Sequence, residues 1–283
     1  MSPQVPDRAV AVKGVTSVGD ELFLLLKATP VGGFLHWFLS PTINRLAVYS
    51  VIDYQRLRHV DFSRDIEFND MTSCVRHKCL YMSDDYRCIH RYHLASKTIS
   101  KWPVTCKPVS LSVTSSCNLL VTCRGPNKLV ELSADSGQCV REIALQSDIV
   151  DPWYAVQLTA GRYVVCHGVI QVYTRSLFRT YIRHELNRVS VVGDDGKVTR
   201  SYDGCCQCKV GQLNWPCHLA VDEDSLFIFV ADELNLRVVL LSPTLKFVRY
   251  ISEGLSRPER LYFHQATRRL FVGQSSDVTV IQL

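Results

Sequence analysis

Basic side chains at regular positions are the residues of this 283-residue chain best suited to bind a charged ligand. Apolar runs and turns divide the chain into repeated units of short strands, and five units carry a cation at or near the start of the third strand. These cations are Arg45, Arg87, Lys128, Arg188 and Arg237. In an antiparallel unit that position lies on the same face as the link to the next unit. The pattern therefore predicts a ring of positive charge on one face.

Aromatic residues accompany this ring of cations. Trp102, Trp153 and Trp215 lie in or beside the links between units, and His218 begins a strand nearby. Cations neutralise a phosphate backbone, and aromatic rings stack on unpaired bases. We therefore predict an RNA-binding face, with Trp153 and Trp215 as stacking groups.

A structural interpretation of the same residues stays open. An arginine at a fixed place in each unit can be paired with an aspartate of its own or the next unit, and Asp232 and Arg237 are close enough in sequence for that. A tryptophan beside a proline more often packs between units than against a ligand. Pairing and packing therefore compete with ligand binding as the role of these side chains.

An insertion interrupts the fourth unit at Gly168–Leu186, with the sequence GVIQVYTRSLFRTYIRHEL. It carries Arg175, Arg179 and Arg183, followed by His184. Their spacing suggests one face of a helix or an extended basic loop, and loops on a rigid scaffold often carry function. The alternative is a longer pair of strands in a divergent unit.

A second cluster of reactive residues lies in GCCQCKVGQLNWPCH, which contains Cys205, Cys206, Cys208, Cys217 and His218. Thiolates and imidazole are zinc ligands. However, the spacing of these five residues matches no common zinc motif. We therefore predict no metal site.

Signals for catalysis are poor. The sequence has no G-x-S-x-G, no H-E-x-x-H and no glycine-rich phosphate loop. The predicted inner strands read SLSV, AVQL, HLAV and RLYF, and they lack the carboxylates that a metal in a central channel would need. We therefore predict a non-catalytic protein without a cofactor.

The elements that position these residues follow from an internal repeat. One unit places apolar residues at fixed intervals after a proline: Pro216, Leu219, Val221, Val230, Val238 and Leu241. The last unit repeats every interval: Pro258, Leu261, Phe263, Val272, Val280 and Leu283. Copies with small changes begin at Pro108 and Pro152, and weaker copies cover Cys79–Val104 and Gly32–Phe62.

About six units with a period of roughly 40–45 residues are typical of a β-propeller with four-stranded blades. The predicted fold is therefore all-β: one six-bladed β-propeller domain that spans residues 1–283. The last unit ends after its third strand, and Arg8–Val15 is a strand without a blade. We predict that this N-terminal strand closes the ring by completing the last blade, because an open ring would expose a sheet edge.

One unit carries a family resemblance. The stretch GQLNWPCHLAVDEDSLFIFVADELNLRVVLLSP resembles an NHL repeat. The matching residues are Gly211, Gln212, Pro216, Ala220, Val221, Asp222, Val230, Ala231, Asp232, Asn235, Arg237 and Val238. In the unit that begins at Pro108, Cys123 stands at the Asp232 position and the asparagine moves to Asn127.

The resemblance is to the NHL propellers at the C-terminus of tripartite-motif (TRIM) proteins. It implies a non-catalytic module that binds RNA or a protein partner. The basic face favours RNA, and we predict that the module binds an RNA stem-loop through this face. The alternative is a protein-interaction module that selects substrates for a TRIM-type ubiquitin ligase. A metal-dependent propeller hydrolase or lyase is a third possibility.

Composition limits the partners and the cellular environment that we predict for this protein. The net charge of +5 permits contact with nucleic acid without requiring it. No apolar run reaches the roughly 18 residues of a membrane-spanning helix, and the N-terminus lacks a secretory apolar core. We therefore predict a cytoplasmic monomer whose twelve cysteines are free thiols.

Overall fold

The computed structural model describes Pro3 and residues 10–28, 43–63, 66–176, 179–204, 212–275 and 277–283. In these residues the regular structure consists of 23 strands and two short 3-10 helices, Glu233–Asn235 and Gln265–Thr267. The strands form six antiparallel sheets, each built from consecutive strands.

The first three sheets have four strands each. Blade 1 contains β1 (Val10–Val18), β2 (Glu21–Ala28), β3 (Ile43–Ser50) and β4 (Arg56–Asp61). Blade 2 contains β5 (Phe68–Cys74), β6 (Cys79–Asp84), β7 (Cys88–His93) and β8 (Ile99–Pro103). Blade 3 contains β9 (Lys107–Val113), β10 (Leu119–Arg124), β11 (Lys128–Leu132) and β12 (Cys139–Ala144).

The remaining sheets follow in the same order. Blade 4 contains β13 (Pro152–Thr159), β14 (Arg162–Ser176), β15 (Arg179–Gly193) and β16 (Val198–Tyr202). Blade 5 contains β17 (Pro216–Val221), β18 (Ile228–Asp232), β19 (Arg237–Leu241) and β20 (Phe247–Glu253). Blade 6 contains β21 (Arg260–His264), β22 (Arg269–Gly273) and β23 (Val278–Gln282).

The blades form a closed ring because each inner strand contacts the inner strand of the next blade and β21 contacts β1. Second strands such as β6 and β18 are buried along their whole length, whereas outer strands such as β4 and β12 are mostly exposed. This difference explains the apolar runs in the middle of each repeat and the polar residues at its end. The structure is the predicted six-bladed β-propeller.

The hydrophobic core is divided among the blade interfaces. Six apolar clusters lie one between each pair of neighbouring blades. The cluster between blades 1 and 6 includes Val12 and Leu24 from one side and Phe271 and Val278 from the other. A single blade leaves both of its faces exposed, and closure of the ring buries them all.

The N-terminal strand closes this ring, but the predicted manner of closure was wrong. Val10–Val18 does not complete the last sheet: it pairs with β2, from Val10 opposite Ala28 to Val18 opposite Glu21, and is the inner strand of blade 1. Because the apolar segment Glu21–Ala28 follows after a two-residue turn, a local hairpin forms. In the described part of the chain, blade 6 keeps three strands.

The insertion in blade 4 forms a strand pair. β14 and β15 continue past the blade as an antiparallel hairpin, whose register runs from Val169 opposite Glu185 to Ser176 opposite Arg179. The helix suggested by the arginine spacing is therefore wrong, and the alternative of a longer strand pair is confirmed. The side chains of residues 170–186 lie outside the part that the structure describes.

One pair of cysteines departs from the prediction of free thiols. Cys106 and Cys123 form a disulfide. Seven other cysteines of the described residues are free, and Cys205, Cys206 and Cys208 lie outside those residues. No helix of the described chain has the length and apolar character needed to span a membrane.

Candidate functional site

The centre of the propeller holds a cavity of ≈ 540 Å³ at the end where the inner strands begin. Each blade contributes to its lining from the first residues of its inner strand. The contributing residues are Lys13, Asp70, Ser110, Tyr154, His218 and Arg260. We call the surface around the mouth of this cavity, together with the strand links and the turns between second and third strands, the cavity face.

A repeated irregularity positions these residues. Five inner strands shift register by one residue at their start: between Val12 and Gly14, Phe68 and Asp70, Pro108 and Ser110, Pro152 and Tyr154, and Pro216 and His218. Each shift is a β-bulge, which bends a strand and changes the direction of its side chains. The bulges lie where the strands meet the cavity.

His218 is buried at the inner end of the cavity. Its ring lies against Tyr154, with centroids 3.7 Å apart. Burial lowers the pKa of His218, so the imidazole is neutral at physiological pH. Nδ1 accepts from the Leu261 amide at 3.3 Å, and the Leu219 carbonyl lies 3.1 Å away. Because Asp70 faces the other nitrogen, we place the proton on Nε2.

Asp70 and Arg260 form the charged centre beside this histidine. Oδ2 of Asp70 accepts from the Leu111 amide at 2.8 Å, and Oδ1 lies 3.5 Å from Arg260 Nε. The guanidinium of Arg260 donates to the carbonyls of Lys13, Asn69 and Glu259, each at 2.8 Å. The ammonium of Lys13 has a lowered pKa because of burial first and the nearby Arg260 second.

An aromatic pair forms one wall of the cavity. The rings of Trp153 and Trp215 lie 4.8 Å apart and join blades 4 and 5. The Arg124 guanidinium stands over Trp153 at 4.3 Å and pairs with Asp151 at 3.2 Å. Three of the predicted site residues, Trp153, Trp215 and His218, therefore come together at this cavity.

Charges around the cavity nearly balance. Its cations are Lys13, Lys107, Arg124, Arg257 and Arg260, and its carboxylates are Asp70, Asp85, Glu233 and Glu259. Lys107 contacts Asp85 at 2.7 Å, and Arg257 pairs with Glu233. The cavity therefore presents charges of both signs rather than a uniformly positive surface.

The predicted ring of cations lies outside this cavity, at the outer part of the same face. Four of its members contact carboxylates of their own blades: Arg45 with Asp61 at 2.7 Å, Lys128 with Glu142 at 2.7 Å, Arg188 with Asp203 at 3.9 Å and Arg237 with Asp232 at 2.7 Å. Arg87 is exposed in the turn between β6 and β7, at a φ of 61°. These pairings are the ones that the structural interpretation expects, and a binding role for the ring stays a prediction.

The residues that resemble an NHL repeat form a buried network in blade 5. Asp232 accepts from the Asn214 amide at 2.7 Å, from the Asn235 side chain at 2.8 Å and from Arg237 at 2.7 Å. Burial raises the pKa of Asp232, and the hydrogen bonds from Asn214, Asn235 and Arg237 oppose that shift. The network fixes the turn after β18 to the link before β17.

In blade 3 a covalent bond joins the same two positions. Cys123 pairs with Pro108 across the sheet as Asp232 pairs with Pro216. Cys106 precedes Pro108 by two residues as Asn214 precedes Pro216. The Cys106–Cys123 disulfide therefore replaces the Asn214–Asp232 hydrogen bond. This explains why the aspartate of the repeat is absent there.

The long β14–β15 hairpin leaves the blade on the cavity face. Its base is joined to the aromatic pair, because the Trp153 indole donates to the Gly168 carbonyl at 3.3 Å. Arg175, Arg179 and Arg183 belong to its strands, and the structure does not describe their side chains. The hairpin thus places basic sequence beside the cavity.

The described members of the predicted cysteine and histidine cluster, Cys217 and His218, lie in different surroundings. Cys217 is buried in contact with the Pro258 carbonyl at 3.5 Å, and His218 lies in the cavity, whereas Cys205, Cys206 and Cys208 are outside the described residues. Within the described ranges, no group of three or more His, Cys, Asp and Glu residues is arranged to hold a metal ion.

Sequence reasoning missed Asp70, Arg124 and Arg260. A signal for Arg260 was present, because it follows Pro258 by two residues as His218 follows Pro216. Asp70 could not be found in this way, since its blade has no proline at the start of the inner strand.

No protein-family model matches this chain, and no curated protein matches its sequence. Solved structures match its fold. Hydrazine synthase of Kuenenia stuttgartiensis is 11% identical with a TM-score of 0.66, and the match covers 100% of this chain and 97% of that one. Virginiamycin B lyase from Staphylococcus aureus is 10% identical with a TM-score of 0.63, over 100% and 88% of the two chains.

The WD40 β-propeller domain of Doa1 is also similar, at 12% identity and a TM-score of 0.62, over 100% of this chain and 96% of that one. These structures include enzymes and a WD40 domain. At such low identities they show the β-propeller fold alone.

Proposed function

We propose that this propeller is a non-catalytic binding module that recognises a protein partner at its cavity face. The observation that carries the proposal is the mixed charge of that face around an aromatic wall. Five cations and four carboxylates line the cavity, and the tilted rings of Trp153 and Trp215 pack together beside them. Mixed charge around half-buried aromatic and arginine side chains is suited to a polypeptide, whose own surface carries both signs.

The ion pairs that the ring cations form support a protein ligand over a nucleic acid. An RNA backbone needs cations whose charge is available to phosphate. Arg45, Lys128 and Arg237 are each within 2.7 Å of a carboxylate of their own blade. A phosphate would have to displace those contacts, and this reduces what each cation contributes.

Two likenesses agree with the proposal. The Doa1 neighbour is a WD40 domain, a class of propeller used for interaction. The NHL resemblance of blade 5 is to propellers that bind RNA or protein partners, and a TRIM-type ligase would use such a module to select substrates. The lyase neighbours are enzymes on this fold, so the non-catalytic part of the proposal rests on the lack of catalytic motifs in the sequence.

RNA is the second candidate, and one observation favours it. The Arg124 guanidinium over Trp153, with Trp215 beside it, is an arrangement on which an unpaired base can stack. The adjacent hairpin carries Arg175, Arg179 and Arg183 in its sequence. An RNA loop would therefore bind at the hairpin and the aromatic wall rather than around the whole ring.

A selection experiment on the purified chain separates the two candidates. A displayed library of random peptides and a pool of random stem-loop RNA are each selected at 50 mM and 150 mM salt. We expect peptides whose affinity changes little with salt. Enrichment of RNA alone, with an affinity that falls steeply with salt, would replace the protein proposal by the RNA one.

Arg124→Ala locates the binding site. We expect this substitution to lower the affinity for the selected ligand by about tenfold or more, as for an arginine at the centre of an interface. Arg268→Ala is the matched control, because Arg268 also pairs with an aspartate, Asp222 at 2.8 Å, and stands over an aromatic ring, Phe263 at 5.0 Å. Arg268 lies on the opposite face, in the turn before β22. Equal losses for both variants would contradict the assignment of the cavity face.

A further inference from the structure

Two buried histidine–aspartate pairs of this propeller differ in their spacing. In blade 2, His90 Nε2 and Asp84 Oδ2 are 2.8 Å apart and form a direct hydrogen bond. At the cavity, His218 Nε2 and Asp70 Oδ1 are 3.9 Å apart, too far for one. The blade 2 pair is complete, whereas the cavity pair leaves a gap between a donor and an acceptor.

The groups around this gap lack hydrogen-bond partners among the described residues. Asp70 is 1% exposed, and its Oδ1 accepts no hydrogen bond. Ser110 is 3% exposed, and its hydroxyl also has none. Both residues line the cavity. Buried polar atoms are nearly always hydrogen-bonded, so two such atoms at one cavity indicate a site for a polar group.

The hydrogen-bonding roles define that group. We assign the His218 proton to Nε2 because the Asp70 carboxylate faces that nitrogen, and Nδ1 then accepts from the Leu261 amide. The Leu219 carbonyl, 3.1 Å from Nδ1, accepts only in the other tautomer. Asp70 Oδ1 can only accept. The missing group must therefore accept from His218 and donate to Asp70, and a hydroxyl does both. An oxygen on the cavity side of these two atoms, which are 3.9 Å apart, can lie at ordinary hydrogen-bond distance from each.

The charge and the shape of the cavity around this gap limit further which ligands can fill it. Arg260 Nε lies 3.5 Å from Asp70 Oδ1, so the two ions neutralise each other and favour neither a cation nor an anion. The Tyr154 ring beside His218, with the Trp153–Trp215 wall, provides apolar surface for carbon atoms. An uncharged ligand that joins hydroxyl groups to a carbon skeleton fits this set.

We propose that Asp70, His218 and Ser110 form a subsite for an uncharged hydroxyl-bearing ligand. The hydroxyl donates to Asp70 Oδ1 and accepts from His218 Nε2, and Ser110 contacts it or a neighbouring hydroxyl. The same chemistry is found in a sugar or polyol and in a serine or threonine side chain of a partner. The subsite goes beyond the proposed function, because it needs no macromolecular partner.

Nitrogen NMR of the histidine rings tests the subsite in the free 283-residue chain. The probes are D-glucose, myo-inositol and N-acetylserinamide, and N-acetylalaninamide is the matched compound without a hydroxyl. We expect at least one hydroxyl probe to shift the His218 Nε2 signal saturably, in the millimolar range usual for so small a ligand. His218→Gln identifies the signal by removing it.

Variants show whether the binding uses the proposed atoms. Asp70→Asn should lower the affinity for the responding probe by about tenfold. Ser110→Ala serves as the second variant if Asp70→Asn does not fold. Asp84→Asn, in the complete pair of blade 2, should leave the affinity unchanged. Saturation by glucose or inositol points to a sugar or polyol, and saturation by N-acetylserinamide alone points to a peptide side chain.

Two results would overturn the proposal. A His218 signal that no hydroxyl probe changes would mean that the gap holds water alone. An equal response to N-acetylalaninamide would mean that the hydroxyl is not recognised. Neither result would bear on partner binding at the cavity face, which the selection experiment measures separately.

Discussion

Arg260 Nε donates to the carbonyl of Lys13 at 2.8 Å, across 247 residues of sequence, and joins the last blade to the first strand of the chain. The same guanidinium donates to the Asn69 carbonyl of blade 2. One side chain therefore connects three blades at the place where the ring closes and where the cavity begins.

Replacement of Arg260 is expected to destabilise the ring. Arg260→Ala removes a donor from three carbonyls and the counter-ion from the buried Asp70, so we expect the free energy of unfolding to fall by about 3–5 kcal/mol. Arg260→Lys should recover little, because an ammonium cannot reproduce the planar fork. Denaturant unfolding gives the values, with the exposed Arg249→Ala on β20 as control. A loss below about 1 kcal/mol for Arg260→Ala would contradict this role.

Removal of residues 1–15 is expected to open the ring. The deletion takes most of β1 away from β2 and removes Val12 and Val15 from the cluster between blades 1 and 6. The exposed edge of β2 and the uncovered core should cause aggregation, measured by size exclusion with light scattering. The control is Ser17→Ala, which removes only the 2.6 Å contact with Tyr262. It should lower the free energy of unfolding by about 1 kcal/mol and leave the protein monomeric. A soluble, equally stable deletion variant would show that β1 is dispensable.

His167 makes stability depend on pH. Its Nε2 lies 2.9 Å from Ser190 Oγ, and burial, with a smaller effect of Arg188, lowers the pKa of His167 to about 4. The unfolded chain binds this proton near pH 6.5 and the folded chain does not. Stability is therefore full above about pH 6.5 and should fall by about 3 kcal/mol as the pH drops to 4.

The variant His167→Gln isolates this contribution. It keeps a side-chain donor for Ser190 and removes the titration, so the difference in stability between it and the native chain should shrink or reverse from pH 7 to pH 4. The exposed His59→Gln is the control. A constant difference across that range, measured by urea unfolding, would exclude His167 as the source.

The Trp153–Trp215 contact should couple blades 4 and 5. Aromatic pairs contribute about 0.5–1.5 kcal/mol beyond their buried area, so a double-mutant cycle of Trp153→Ala and Trp215→Ala should show a coupling of that size. Additive effects would mean that each ring packs independently. The same variants should weaken ligand binding if the aromatic wall belongs to the binding site.

Cysteine reactivity should follow burial. Burial raises the pKa of the Cys166 thiol and of the Cys217 thiol, so both stay protonated and unreactive in the folded chain. Among the free cysteines that the structure describes, Cys139 is exposed and should be alkylated before the others. Mass spectrometry after a short iodoacetamide pulse measures the order, and labelling of Cys166 before Cys139 would contradict the buried placement. The same spectra should show Cys106 and Cys123 unlabelled without reductant.

Much of the fold could be predicted because the repeat is local. The identical spacings after Pro216 and Pro258 correspond to blades 5 and 6, whose inner strands are Pro216–Val221 and Arg260–His264. The first blade was predicted incorrectly, since Glu21–Ala28 was not assigned to any unit and its hairpin with β1 was missed. A one-strand shift of this kind leaves the repeat period unchanged, so periodicity alone could not detect it.

The candidate site was only partly predictable. The prolines that mark the inner strands led to three of its residues. Trp153 follows Pro152, Trp215 precedes Pro216, and His218 lies two residues after Pro216. The sequence offered ion pairing of the ring cations only as an alternative, because a partner such as Asp61 of Arg45 lies on the neighbouring strand, 16 residues away in sequence. Charge counted along the sequence therefore overestimated the positive character of the face.

The sequence by itself determined the all-β class, the number of blades and the turns between strands, because these depend on apolar periodicity and turn residues within about 40 positions of each other. Only the tertiary structure decided which side chains meet at the centre. Asp70, His218 and Arg260 belong to three different blades, and they come within 4 Å because the ring closes. Closure is a property of all six blade interfaces together, so no local pattern could have specified that meeting.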